Sequence, residues 1–238
     1  MEHLPISWLK TLGSAPFTED ALKERCGDYK SLPMKLSRMV KAGDIIRLKR
    51  GLYCVAAKHL RDGSYLQFGV IANRLYGPSY VSFETALAYY GLIPERVYRQ
   101  MSAVVKRSKC FRTPLAEFAY RQIPESLFPL GVRIIESVNG NYLMANPTKA
   151  LCDTMLMKRD LRVTSPKTLR DFLETDMRFD FDEFGEPDFE TLHGFATCGM
   201  KPGLFNALER IFKWHYSIRW SRPSVPRTSP PTEMQFTK

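Results

Sequence analysis

The chain is short of the residues and spacings that most site chemistry requires. Its 238 residues include five cysteines and four histidines. Cys26, Cys54, Cys110, Cys152 and Cys198 form no CxxC pair and are odd in number, which fits reduced thiols better than a secreted disulfide framework. His3, His59, His193 and His215 stand apart from any cysteine pair, so no zinc spacing exists. GxSxG, P-loop and HExxH signatures are all absent. No window approaches the roughly 18 consecutive apolar residues of a membrane helix, and MEHLPISWLK lacks the basic start and apolar run of a signal peptide. A soluble, cytoplasmic protein is expected, and no repeat of solenoid period occurs.

Three partial signatures fail on inspection. Asp180, Asp182 and Gly185 imitate the opening of an EF-hand loop, but Phe184 and Thr191 stand where an oxygen ligand and a bidentate glutamate are needed. Asp180-x-Asp182 is left as half of a carboxylate metal site, with a solvated loop the simpler expectation. Gly13-Ser14 suggests the start of a nucleotidyltransferase signature, yet Asp28-Tyr29-Lys30 lacks the second carboxylate that two metal ions require. His193 and Cys198 are five residues apart, and Gly194 and Gly199 around them predict a loop rather than an aligned nucleophile pair. Expectation therefore falls on binding, with no catalytic residue, cofactor or metal.

What the chain has is positive charge. Lys plus Arg number 35 against 25 Asp plus Glu, a formal +10 within an otherwise ordinary composition of 44% hydrophobic and 25% charged residues. Residues 1–60 hold 11 basic and 6 acidic side chains, residues 61–159 hold 13 and 7, and residues 160–220 reverse the sign with 8 and 11. A basic front and an acidic back point to a polyanionic partner for the front.

The pattern along that front is specific. Ile6, Leu9 and Leu12 have helical spacing before Gly13, and Thr18 caps a short helix through about Arg25. Ser31 caps a third helix whose stripe is Leu32, Leu36, Met39 and Val40, and Gly43 closes it. The period then changes to two, with strands at 45–48 and 52–55 joined through Lys49-Arg50-Gly51. Three short helices and a basic hairpin predict a winged helix-turn-helix, in which the third helix enters the major groove and the hairpin grips backbone. Lys30, Ser31, Lys35, Ser37, Arg38 and Lys41 lie off the apolar stripe, and the wing adds Arg47, Lys49 and Arg50. These nine are the expected DNA-binding residues.

Past a linker at Asp62-Gly63, helices are expected at 65–76 and 82–90, and strands at 101–106, 117–123 and 132–138. A two-residue hairpin turn at Asn139-Gly140 leads into a strand at 141–145, followed by a helix from Pro147 to about Met157. This predicts an α+β domain with a small, mostly antiparallel sheet over residues 62–220. Further helices are expected at 165–174, 188–196 and 203–216. Residues 221–238 hold four prolines and no apolar period, and are expected to be a disordered tail. Phe118 and Tyr120 have the period of a strand's core face. Lys106, Arg107, Lys109 and Arg112 form a second basic patch, expected in a loop.

Four ordered runs carry a family resemblance: PMKLSRMVKAGDIIRLKRGLYCV (33–55), YVSFETALAYYGLIPE (80–95), IPESLFPLGV (123–132) and ANPTKALCD (145–153). Together they resemble the AbiEi-type antitoxins of bacterial abortive-infection toxin–antitoxin systems, over about residues 5–158. The resemblance implies a winged helix-turn-helix joined to an antitoxin domain, and binding to inverted repeats in the operon's own promoter. It also implies a cognate nucleotidyltransferase-like toxin as partner. The alternatives are a stand-alone winged-helix regulator and a metal-dependent enzyme acting on nucleic acid.

Overall fold

A computed structural model of the chain describes residues 6–26, 31–61, 63–95, 98–159, 161 and 165–220. Lys30, half of the Asp62-Gly63 linker and the proline-rich 221–238 segment lie outside the described residues. The fold is mixed helix and sheet, with one small antiparallel sheet and one larger mixed sheet. Its contacts group the chain into two compact units, each drawn from separated stretches. The first comprises 1–81, 98–122 and 133–144, and the second 82–97, 123–132 and 145–238.

In the first unit, α1 (Ile6–Leu12), α2 (Glu19–Cys26) and α3 (Leu32–Lys41) precede β2 (Ile45–Lys49) and β3 (Leu52–Val55). A two-residue strand that periodicity could not reveal, β1 (Phe17–Thr18), pairs antiparallel with β3 and makes a three-stranded sheet in the order β1-β3-β2. Leu9, Phe17, Leu22, Leu32, Leu36, Ile45, Tyr53 and Val55 close around one core. Thr18 caps α2 as expected, its hydroxyl accepting from Ala21 N at 3.3 Å. Ser31 stands at the N-cap position of α3, but its side chain caps nothing. Gly43, at φ +68°, makes the left-handed exit from α3 that a side chain would strain.

The remainder of the first unit is built on a six-stranded sheet, larger and more mixed than the small antiparallel one expected. After α4 (Phe68–Leu75), the strands are β4 (Ser79–Val81), β5 (Arg99–Val104), β6 (Lys109–Arg112), β7 (Glu117–Gln122), β8 (Val132–Ile135) and β9 (Tyr142–Ala145), in the order β6-β7-β5-β4-β9-β8. β5 runs parallel to β7 and β4 parallel to β9. The β5–β7 pair is parallel because β6 takes the edge and β7 returns between it and β5. Phe118 and Tyr120 are core, as expected, with Tyr120 donating to Ala72 O at 2.7 Å.

Asn139-Gly140 is not a two-residue hairpin turn. Strand β8 ends at Ile135 and β9 starts at Tyr142, because Asn139 is buried and occupied elsewhere. Its carbonyl accepts from Ser14 Oγ at 3.1 Å and its side-chain oxygen accepts from Tyr65 N at 3.2 Å. The helix expected from residue 65 accordingly begins only at Phe68.

The second unit is helical. It contains α5 (Phe83–Tyr89), α6 (Pro147–Met157), α7 (Pro166–Asp171), α8 (Phe181–Phe184), α9 (Phe189–Thr197) and α10 (Pro202–Trp220). A π-turn over Phe172–Asp176 extends α7, close to the 165–174 expected for one helix. α6 packs on α5 and α9, and α10 on α7 and α9. At the centre lies Lys149, fully buried. Its ammonium donates to Leu127 O at 2.7 Å, pairs with Asp153 Oδ1 at 3.0 Å and sits 4.5 Å from the centre of the Phe195 ring. Ser82 Oγ donates to the other Asp153 oxygen at 2.7 Å.

A buried ammonium stripped of its partner is costly, whereas an apolar pair in the same volume is tolerated. Asp153→Ala should therefore lower unfolding stability by about 3–5 kcal/mol. The double variant Lys149→Met/Asp153→Leu should recover much of that loss, read as the urea midpoint of each variant.

Candidate nucleic-acid interface

α3 is amphipathic because its apolar residues recur at helical spacing. Leu32 and Leu36 are buried, Met39 and Val40 half-buried against the same core, and the opposite side is left to polar and basic groups. Ser31, Ser37, Arg38 and Lys41 are exposed, and Lys35 is partly so. No carboxylate lies within 4.0 Å of Arg38 or Lys41 among the described residues. Methionine 34 shares that face, 58% exposed, with Arg38 Nη2 donating to its sulfur at 3.6 Å. It lies off the stripe of Leu32, Leu36, Met39 and Val40, and is not among the sequence candidates because those are chosen by charge and hydroxyl groups alone.

The hairpin turns at Gly51, φ +74°, with a register shift between Arg47 and Lys49. Arg47, Lys49 and Arg50 are all exposed. Lys49 is not wholly uncommitted, since its ammonium donates to Leu75 O at 2.6 Å. The second basic patch meets the same turn. Lys106 Nζ donates to Gly77 O at 2.8 Å, and Tyr76 OH donates to Arg107 O at 3.1 Å. Lys106 and Lys109 lie 5.8 and 5.7 Å from the centre of the Tyr76 ring, and Lys109 lies 4.8 Å from that of Phe111. Two basic clusters some 55 residues apart in sequence thus converge on Leu75-Tyr76-Gly77, within one unit.

The loop expected for the second patch is only partly a loop. Lys106 and Arg107 precede β6, while Lys109 and Arg112 are on that edge strand, which pairs antiparallel with β7. Arg112 stands opposite Glu117, with its Nε 3.6 Å from the carboxylate. Arg99 takes the other oxygen of the same group. Arg112 therefore stands apart from Lys106 and Lys109, whose ammonium groups gather at Tyr76, and from Arg107, which meets it through its carbonyl.

Charge divides along the same lines. The first unit carries 20 basic and 9 acidic residues, a formal +11, and the second carries 15 and 16, a formal −1. All of the chain's net positive charge belongs to the unit that holds α3, the hairpin and the second patch.

The joint between α3 and the hairpin is ionic. Asp44, just past Gly43, has Oδ1 2.7 Å from His59 Nε2 and 3.0 Å from Lys58 Nζ, and Lys58 also donates to Ala42 O. Hydrogen bonds from His59 and then Lys58 hold the Asp44 carboxyl below its usual range. Nearby, burial and then the Glu19 carboxylate push the Tyr53 phenol up, and burial pushes the Cys54 thiol up to about 12. Cys54 is thus an inert core thiol.

The remaining sequence candidates are structural. Asp180, expected in a solvated loop, is the N-cap of α8, its Oδ1 accepting from Asp182 N and Glu183 N at 2.9 Å. His193 and Gly194 are inside α9 rather than in a loop. Gly194 is tolerated there because Leu130 abuts it, within 2.4 Å of where a Cβ would stand. Cys198 turns its thiol to Phe195 O at 3.0 Å, so no His–Cys pair forms. A cleft of about 440 Å³ in the second unit is lined by Arg170 and Arg178. Both arginines are already paired, with Glu174 and Glu95 at 2.7 Å. Among the described residues, no group of three His, Cys, Asp or Glu side chains could hold a metal ion, and no helix is long and apolar enough to cross a membrane.

A carboxyl whose pKa is lowered by folding contributes stability above its unfolded value, near 3.9, and that contribution is lost as pH falls through the folded value. Asp44→Asn should cost about 1 kcal/mol at pH 7, a difference that shrinks towards zero in strong acid. Thermal unfolding of the two proteins across pH 2–7 measures it.

No curated protein matches the chain. Residues 18–56, which run from the end of β1 through α2, α3 and the β2–β3 hairpin, match the family described as transcriptional regulator, AbiEi antitoxin, and are thus similar to antitoxin-type transcriptional regulators.

Proposed function

We propose that the chain is the antitoxin and DNA-binding autorepressor of a bacterial toxin–antitoxin operon, and that it counters a nucleotidyltransferase-like toxin. The observation that carries this reading is that the matched segment, residues 18–56, is also the segment whose outer face is basic. Residues 1–60 act as a winged helix-turn-helix, and residues 62–220 supply the antitoxin function. α3 enters the major groove, with Lys35, Arg38 and Lys41 as its cations, Ser31 and Ser37 beside them and Lys30 just ahead. Arg47, Lys49 and Arg50 hold phosphates from the wing. Lys106, Arg107 and Lys109 continue that positive surface, since they share the 75–77 turn with Lys49. The role is one of binding, without turnover of the nucleic acid.

Neutralising about five phosphates gives log K a slope of about −4 to −5 against log salt. Anisotropy titration of a duplex from the promoter upstream of the gene should return that slope. An Arg47→Ala/Lys49→Ala/Arg50→Ala variant should bind more weakly, with a slope shallower by about 2 to 3. Equal affinity and slope for the two proteins would remove the wing from the interface.

Co-expression tests the antitoxin half. The triple variant should still rescue growth from a neighbouring nucleotidyltransferase gene while failing to repress the promoter. Repression without any rescue by wild type would leave a stand-alone regulator. Turnover of labelled DNA, RNA or tRNA with Mg²⁺ or Mn²⁺, abolished by Asp180→Ala, would make the chain an enzyme instead.

A further inference from the structure

Of the large apolar side chains on α3, Met34 alone does not face the core. Leu32 and Leu36 are 3% and 2% exposed, and Met39 and Val40 pack against the same cluster. Met34 is two residues from each leucine and hence on the far side of the helix, 58% exposed. It is the single large hydrophobic side chain left exposed among the described side chains of residues 9–61. Its neighbours on that face are the polar and basic groups Ser31, Lys35 and Arg38. One turn on, the Arg38 guanidinium rests on the Met34 sulfur, 3.6 Å away.

An apolar side chain exposed in the first turn of a basic helix adds little to the buried core. It does have a partner in the major groove. The first residues of a recognition helix are those that meet base edges, and the one apolar feature of those edges is the C5-methyl of thymine. Arginine, by contrast, suits the O6 and N7 acceptors of guanine. We infer that Met34 is a specificity-determining residue that packs on a thymine methyl next to a guanine read by Arg38. The inference rests on α3 being the helix that enters the groove. The two residues are four apart, about 6 Å along the helix, which places the two bases within about two base-pair steps.

The test separates the methyl from everything else in the site. The full chain is used to enrich its preferred sequence from a pool of random duplexes, and each thymine of the winner is then replaced singly by deoxyuridine, which removes only the methyl. One replacement should weaken wild type about fourfold, the worth of one buried methyl group. Met34→Ala should lose the same factor on the thymine duplex and be indifferent to the replacement. Met34→Leu should keep the discrimination. All three should share one unfolding midpoint and one salt slope, since the residue is exposed and uncharged. If no deoxyuridine weakens wild type, or if Met34→Ala responds as wild type does, Met34 does not read thymine, although sequence-specific binding itself survives. If wild type enriches no sequence at all, the groove-reading role of α3 falls and this inference with it.

Discussion

A lysine with no water around it must have its charge answered entirely by the protein, and the second unit is arranged to do so for Lys149. Asp153 supplies the countercharge from one turn along α6, Leu127 a carbonyl and Ser82 a hydroxyl that fixes the carboxylate in turn. The constraint reaches further. Asn146 caps α6 by accepting from Lys149 N and donates to Asp188, which itself caps α9. Gly131 passes so close that a Cβ there would stand 2.9 Å from that of Lys149 and 2.7 Å from the Thr191 hydroxyl. Three distant runs of sequence, around residues 82, 127 and 149, are therefore joined by one buried ion pair, Leu127 through the ammonium and Ser82 through the carboxylate. Three of the four runs that carry the antitoxin resemblance are these same ones, so they meet in space around one ion pair.

The first unit rests on a weaker, more exposed equivalent. Its small core is apolar, but the turn between α3 and β2 is tied by Asp44 to His59 and Lys58, just past β3. Because that joint is partly solvated, it stabilises modestly and matters more for geometry than for stability. Moving α3 relative to the hairpin would separate Arg38 and Lys41 from Arg47 and Arg50, leaving the same charge in a different pattern.

Elements with strong local signals were legible in the residues alone. The helical stripe of α3, the period-two strands β2 and β3, the core placement of Phe118 and Tyr120, and the Pro147 start of α6 all follow from spacing and local chain chemistry. Elements that exist only through partners were not. β1 is two residues long and is a strand because β3 lies beside it. β6 reads as a basic loop until β7 pairs with it, and the six-strand order depends on pairings that no local pattern encodes. Asn139-Gly140 has ideal turn chemistry, yet two long-range hydrogen bonds to Asn139 outweigh it. In the interface, charge revealed every cation of α3 and the hairpin, but could not show that Lys106 and Lys109 approach the wing. Met34 lies off the apolar stripe of α3, but it carries no charge and so does not stand out among the basic side chains of that face.

A hairpin tip bearing a glycine and two cations would ordinarily sample many orientations, and any ligand would have to freeze them. Here one of the ammonium protons of Lys49 is already fastened to Leu75, on the turn that also receives Lys106. The part of the ordering entropy that belongs to the Lys49 side chain is thus lost during folding rather than on contact with a partner. A pre-ordered tip of this kind favours long residence on a rigid polyanion of matching shape over accommodation of many shapes. The tether also makes the backbone of residues 75–77 a support for two lysines from distant parts of the chain, although none of its own side chains is a lysine or an arginine.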